Sequence, residues 1–273
     1  MTNNSHPDIT FLEELSINAW PALRTVVYDG WMLRFSNGYS RRANSCHALY
    51  DGTIDTEEKI LFCQEMYNGS GLESAFKLTP ASRPENLEPL LEHRGYLRGA
   101  ETSVQTLDLQ GGVVDDRADS VELSARMSDE WLTAFCMMRG LDDSKKSIAS
   151  IMLSNIVPGR GFASVRDVKG RIVACGLAVR QGKYCGLFDI VTDTGSRGKG
   201  IGRRLTGDLL RWGREQGAEK AYLQVMVENI PALRLYSSIG FHEAYRYWYR
   251  TKHLPERGAL LLTCCRLDFT ILW

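Results

Sequence analysis

The sequence predicts an α/β protein in which a mixed sheet is flanked by helices. A smaller α+β companion domain (1–115) precedes a larger domain (116–253), and an apolar tail (254–273) follows. Three observations predict this. Runs of strand character alternate with runs of helical spacing along the chain. Gly111-Gly112 and the cluster Asp115-Asp116-Arg117-Ala118-Asp119 mark a loop, since paired glycines and massed charges do not pack, and the loop leaves two stretches of about domain size. In the second stretch a glycine-rich turn joins a strand to a helix whose Ile201, Leu205, Leu209 and Trp212 form one apolar stripe.

The first stretch opens with a helix over Ile9–Ala19, ended by Pro21. Trp31–Phe35 and Ser40–Leu49 read as strands joined at Ser36-Asn37-Gly38, because Asn-Gly between such runs signals a hairpin. Asp55-Thr56-Glu57-Glu58 resembles a capping box and starts a helix that reaches Met66. A strand at Ala75–Leu78, a helix at Pro84–His93 stopped by Gly95, and a strand at Glu101–Leu109 follow. The second stretch begins with a strand at Val121–Ala125 and helices at Asp129–Met138 and Lys145–Ile156. Strands at Phe162–Arg166, Arg171–Arg180 and Tyr184–Thr192 turn at Gly170 and Gln181-Gly182. The striped helix starts at Lys199 or Gly200 and stops at Gly217, before a strand at Lys220–Val227. A helix over Ile230–Ser238 has Pro231 in its first turn and Gly240 as its stop, and Phe241–Arg250 is the last strand.

Lys and Arg number 33, as do Asp and Glu, so the formal net charge is zero. Bulk attraction to nucleic acid or an anionic membrane is therefore absent, and no nucleic-acid partner is expected. No apolar run reaches the ~18–20 residues of a membrane span. MTNNSHPDITFLEEL lacks the basic start and apolar core of a secretory signal, so a cytoplasmic location is expected, with no membrane partner. Cys46, Cys63, Cys136, Cys175, Cys185, Cys264 and Cys265 form no CxxC pair, and the histidines form no HExxH. The thiols read as reduced and structural, and no metal is expected.

Arg197-Gly198-Lys199-Gly200-Ile201-Gly202 carries the chemistry. Glycines let backbone N–H groups turn outward and approach a ligand, and the helix N-terminus adds partial positive charge, so the place suits phosphate. A P-loop fails, because Ile201 stands where lysine is required. Gly198, Gly200 and Gly202 give GxGxG rather than the dinucleotide spacing GxGxxG. What remains is R/Q-x-x-G-x-G on Arg197, Gly200 and Gly202, or an idle basic turn.

Downstream, Val225-Met226-Val227-Glu228-Asn229-Ile230-Pro231-Ala232-Leu233-Arg234-Leu235-Tyr236-Ser237-Ser238-Ile239-Gly240-Phe241 contains the pattern N-x-x-A-x-x-L-Y-x-x-x-G-F. Together with the loop it resembles the GNAT family of acetyl-CoA-dependent N-acetyltransferases, over Val121–Arg250. The resemblance implies an acyl-CoA N-acyltransferase-like fold, acetyl-CoA as co-substrate, and acetyl transfer to a primary amine by direct attack. It implies that backbone amides from Arg197 through Gly198, Lys199, Gly200 and Ile201 to Gly202 hold the pyrophosphate. It implies further that Ile190, Val191 and Thr192 pair with the pantetheine arm, that Asn229 touches the cofactor, and that Tyr236 is the general acid. Without the motif, Tyr236 reads as a core residue packed on Ala232 and Ile239.

The chemistry asks for N–H donors at a developing oxyanion and a proton for the leaving thiolate. A tyrosine of pKa near ~10 keeps that proton at neutral pH. The base is open. The position of the glutamate some members use falls near Gly186, leaving Asp189 and Glu228 as nearby carboxylates, or a water chain. Thr194-Gly195-Ser196 also stands where many members carry proline. In the first stretch, Leu87-x-x-Leu90-Leu91-x-x-x-Gly95-Tyr96 echoes the second motif, as a degenerate GNAT-like unit would. Arg41, Arg42 and Asn44 are candidates for the acceptor side or the interface, and paired arginines suit an acidic substrate group. A solvated edge strand is their plainer account. The tail GALLLTCCRLDFTILW suggests an edge strand, packing on the other domain, or a homodimer contact. A non-catalytic acyl-CoA sensor is the rival reading of the loop.

Overall fold

The computed structural model describes residues 8–111 and 121–254. The expected boundary at 115/116, the tail from 255, and Cys264 and Cys265 lie outside the described residues. In chain order the elements are α1 (Ile9–Ala19), β1 (Arg24–Tyr28), β2 (Trp31–Phe35), β3 (Cys46–Ala48), α2 (Thr56–Gly69), β4 (Ser74–Leu78), α3 (Leu87–His93) and β5 (Leu97–Asp108). Then come β6 (Val121–Ser124), α4 (Asp129–Arg139), α5 (Asp143–Ser154), β7 (Gly159–Arg166), β8 (Ile172–Gln181), β9 (Tyr184–Thr192), α6 (Ile201–Glu215), β10 (Lys220–Met226), α7 (Ile230–Ile239) and β11 (His242–Lys252).

The expected hairpin is present, with β2 antiparallel to β3 and Leu33 opposite Cys46, and an unexpected one precedes it. That one is made by β1 and β2 around Asp29-Gly30, both at positive φ, with Tyr28 opposite Trp31. The expected strand Ser40–Leu49 shrinks to β3, behind a 3-10 turn at Arg41–Ala43. The reason is Asn44. Its Oδ1 accepts from the Ser36 and Gly38 amides at 2.7 and 3.0 Å, and its Nδ2 donates to the Ser40 carbonyl at 2.8 Å. Side-chain bonds of this kind compete with a ladder and hold a loop instead.

All eleven strands form one mixed sheet, ordered β1-β2-β3-β4-β11-β5-β10-β9-β8-β7-β6. It is flanked by helices, the α/β class expected. β11 lies between β4 and β5, and β5 lies between β11 and β10, both antiparallel to their neighbours. Each stretch therefore sends its last strand across to the other. The parallel pairs are β3 with β4 and β9 with β10. A helix links each pair, α2 and α6 respectively, as parallel strands require a crossover.

Three apolar clusters fill the layers. One packs α1, α4 and α5 against the sheet around Trp20, Phe135, Phe188 and Tyr247, and a second lies under α6 and α7 around Leu205, Leu209, Leu223 and Tyr236. The third lies around Trp31, Ile60, Phe76 and Leu91 in the first stretch. A buried ionic knot fixes α1. Lys77 on β4 meets Glu13 at 2.5 Å, the Tyr245 hydroxyl on β11 donates to Glu13 at 2.7 Å, and the ammonium sits 3.8 Å from the Tyr247 ring centre. Burying such a pair is tolerable because hydrogen bonds satisfy the remaining lone pairs. Among the described residues, no helix is long and apolar enough to cross a membrane.

Candidate active site

β9 and β10 pair in parallel from Tyr184/Lys220 to Leu187/Leu223. Beyond this, β9 runs to Thr192 and β10 to Met226 without pairing with each other, while each keeps its outer partner, β8 and β5. The strands part at their C-terminal ends, where a ligand finds unused backbone donors and acceptors. A bulge shapes the opening: Leu177 faces Phe188, and Cys175 faces Val191, so Asp189 and Ile190 stand opposite Gly176 alone. Asp189 takes φ 51 to do so. Gly176 leaves the room: a Cβ there would come within 2.8 Å of Leu209.

After Thr192, Asp193 accepts from the Gly195 amide at 3.0 Å, Arg197 donates to the Thr192 carbonyl at 3.2 Å, and Lys199 donates to the Gly195 carbonyl at 3.1 Å. Gly198 and Gly200 both adopt φ 75, with no atom within 4 Å of where a Cβ would stand. Glycine is needed there for conformation, not for space. Gly200 is the N-cap of α6 and supplies no side-chain acceptor, and the first turn of α6 holds no acid. Its leading amides thus lack the usual internal partner. Ile201 and Gly202 start the helix, and Gly202 faces Leu235 of α7. Arg203 ties α6 to α7 through the Ser238 carbonyl and hydroxyl, whereas Arg197, Lys199 and Arg204 are exposed.

Tyr236 projects from α7 into the cluster shared with Ile190, Leu205 and Leu209, its ring edge-on to Phe241. Its hydroxyl has no hydrogen-bond partner among the described residues, and burial pushes the phenol up to about 12. Asp189 belongs to the other face, with Phe188, Cys136 and Cys175. It is half-buried, and its Oδ2 is sealed from solvent without a partner. Burial pushes its carboxyl up to about 6, against the opposing pull of Arg42 and Arg139. Glu228 is exposed on the turn before α7, and Asn229, also exposed, caps that helix by accepting from the Ala232 amide at 3.3 Å.

The three candidates of the first stretch divide. Arg42 lies 4.8 Å from the Trp20 ring centre and 5.9 Å from that of Phe188, beside Asp189. Arg41 turns away to Glu73 at 3.5 Å. Every polar atom of the Asn44 amide is spent on its own loop. Three neighbours escaped the sequence reading. Trp20 stacks between Tyr39 and Phe188, at 6.3 Å from each ring centre, and Tyr39 and Arg139 both act electrostatically with Asp189. Arg139, in the last turn of α4 before Gly140, looks in sequence like any C-terminal helix cation. At position 186 a glutamate has no room, since a Cβ would lie 2.5 Å from the Tyr222 ring.

Parted parallel strands, a glycine loop and an uncapped helix start suit a phosphate-bearing ligand, and similarity to known proteins shows the chain to be an N-acetyltransferase of the GNAT class. The family described as "Probable histone acetyltransferase Rv0428c C-terminal" matches residues 7–250, and the chain belongs to it. Bacillus subtilis YobR, described as an uncharacterized N-acetyltransferase, is 28% identical over 251 residues, covering 90% of this chain and 99% of its own. Probable histone acetyltransferase Rv0428c of Mycobacterium tuberculosis is 28% identical over 252 residues, 92% of this chain and 74% of its own. A GCN5-related N-acetyltransferase from Kribbella flavida superposes with a TM-score of 0.65 at 15% identity, over 89% of this chain and 95% of that one. A tandem GNAT protein from the clavulanic acid biosynthesis pathway gives 0.57 at 15% identity, over 71% and 69%. At such identities the structural likeness is one of fold.

Proposed function

We propose that the chain transfers an acetyl group from acetyl-CoA to a primary amine by direct attack, with both substrates bound together. The parting of β9 from β10 above the glycine loop carries this reading. The residues suit the cofactor: α6 starts without an internal acceptor, and Arg197, Lys199 and Arg204 add positive charge around Gly198, Gly200 and Gly202. Bound acetyl-CoA supplies a thioester whose C–S bond is exchanged for a C–N bond. The open edge of β9 over Ile190, Val191 and Thr192 offers amides to the pantetheine arm and the carbonyl oxygen, and exposed Asn229, whose Oδ1 caps α7, keeps its amide nitrogen for the cofactor.

Asp189 takes one proton from the acceptor ammonium, so that the nitrogen lone pair can attack. Its value of about 6 keeps it mostly ionised at neutral pH and still basic enough to serve. Exposed Glu228 is not given this role. Tyr236, from the opposite face, donates a hydrogen bond to the departing sulfur and passes on its proton as negative charge develops. Tyr236 is reprotonated by the second proton leaving the nitrogen. The sum is one amide, one free thiol and one proton released. A sensor would leave both Asp189 and Tyr236 idle. Thiol release from acetyl-CoA across a panel of primary amines tests the reading. Amine-dependent release is expected, and tight binding without release from any amine would favour the sensor.

The first stretch reads as a degenerate copy of the same unit. Its β3-α2-β4-α3-β5 succession mirrors β9-α6-β10-α7-β11, with parallel pairing at the same step. Where the second unit has its glycine loop, the first has residues 49–55, and the Asp29 carboxylate already occupies the amides of Thr53 and Ile54 at 2.9 Å. Asp55 then caps α2. An internal anion fills the place a phosphate would take.

A further inference from the structure

We infer that the acceptor is a primary amine carrying its own anionic group close to the nitrogen, of the α-amino-acid kind, rather than a purely cationic amine such as a lysine side chain. This rests on the transferase reading and refines it. The surroundings of Asp189 decide the matter. The loop that carries Tyr39 and Arg42 is locked by Asn44 and by Arg34, which donates to the Arg42 carbonyl at 2.6 Å. It lays the Arg42 guanidinium against the stacked rings of Trp20 and Phe188, the residue next to Asp189. Arg139, in the last turn of α4, acts on Asp189 electrostatically.

Among the described residues, neither Arg42 nor Arg139 has a carboxylate within ion-pair distance. The charged groups acting on Asp189 are these two arginines, so one carboxylate stands among two guanidinium groups, a local surplus of one positive charge. Asp189 Oδ2 has no hydrogen-bond donor, and both guanidinium groups act on the carboxylate from beyond ion-pair distance. An ammonium drawn to this half-buried carboxylate would raise the surplus to two if it came alone. An acceptor bringing its own carboxylate restores the surplus to one, and a doubly charged phosphate cancels it. Planar guanidinium groups are suited to either anion. Because the Arg42 guanidinium lies against the ring of Phe188, the residue next to the carboxylate that takes the ammonium, an acceptor with amine and anion a few bonds apart suits the site.

The test measures kcat/KM by thiol release with saturating acetyl-CoA, using free α-amino acids against their α-carboxamides, O-phosphoethanolamine against ethanolamine, and a lysine peptide blocked at both ends. The anionic member of at least one pair is expected to exceed its neutral partner by about tenfold or more. The pair that shows the preference tells carboxylate from phosphate. In R42M and R139M, which keep the apolar stems, that ratio is expected to fall toward one while the KM for acetyl-CoA stays put. R42K separates lost charge from lost packing by retaining part of the preference. Equal or better turnover of the carboxamides, ethanolamine or the blocked peptide overturns the inference and leaves the transferase reading standing. Release from no amine at all overturns both.

Discussion

In the proposed reaction Asp189 and Tyr236, from opposite faces of β9, divide the proton chemistry, and each can be replaced by a side chain of nearly the same shape. Y236F keeps the ring against Phe241 and loses only the hydroxyl. It is expected to lower kcat by roughly 10²–10⁴-fold with the KM for acetyl-CoA nearly unchanged, as for loss of general acid–base assistance; steady-state kinetics read this directly. D189N is expected to do more. Because the folded carboxyl lies near 6 and an unfolded one near 3.8, the native state holds this proton more tightly. Stability is therefore lost as pH rises from about 4 through 6 and stays lost above. Melting of D189N against wild type is expected to show no gain at pH 4 and a plateau of added stability above pH 6. The wild-type pH–rate profile should carry an acidic limb near pH 6 that the variant lacks.

Elements explain both what was legible and what was not. Glycine loop and α7 are readable because each rests on local rules: positive φ at Gly198 and Gly200, a proline in the first helical turn, an αL stop at Gly240. The open edge of β9 is implied only by the family resemblance. Ser40–Leu49 misled because Asn44 works through bonds to residues before it, which periodicity does not register. β1 was missed because its residues are mostly exposed and show no apolar alternation. The proposed base site is legible only in part: Asp189 and Arg42 stand out singly, but their grouping with Arg139 draws on three elements far apart in sequence. At the loop, G200V forces a β-branched residue to φ 75. With open space around it, the cost is backbone strain of ~1–3 kcal/mol or a flipped turn. The KM for acetyl-CoA is expected to rise at least tenfold, with kcat at saturation less affected.

Across the whole molecule, exchange of β5 and β11 makes neither stretch self-sufficient. Residues 116–273 expressed alone would leave β10 and β11 each without β5, and would strip α1 and the Arg42 loop from Asp189. Circular dichroism and gel filtration are expected to show aggregation or partial folding. When the two fragments are mixed, a stable complex with thiol-release activity should form, since the sheet can close again. A fully folded, active 116–273 would contradict this. The same exchange explains the division of labour. In the first stretch the Asp29 carboxylate accepts from the Thr53 and Ile54 amides, and the stretch contributes the rings and the arginine that lie beside Phe188.

Hydrogen–deuterium exchange with and without acetyl-CoA tests the central claim most directly, because it reports individual backbone amides. Protection is expected over Ile190–Thr192 and from Gly198 into the first turn of α6, with the counterpart loop at residues 49–55 unchanged. Protection confined to another part of the sheet, or none at saturating acetyl-CoA, would contradict it.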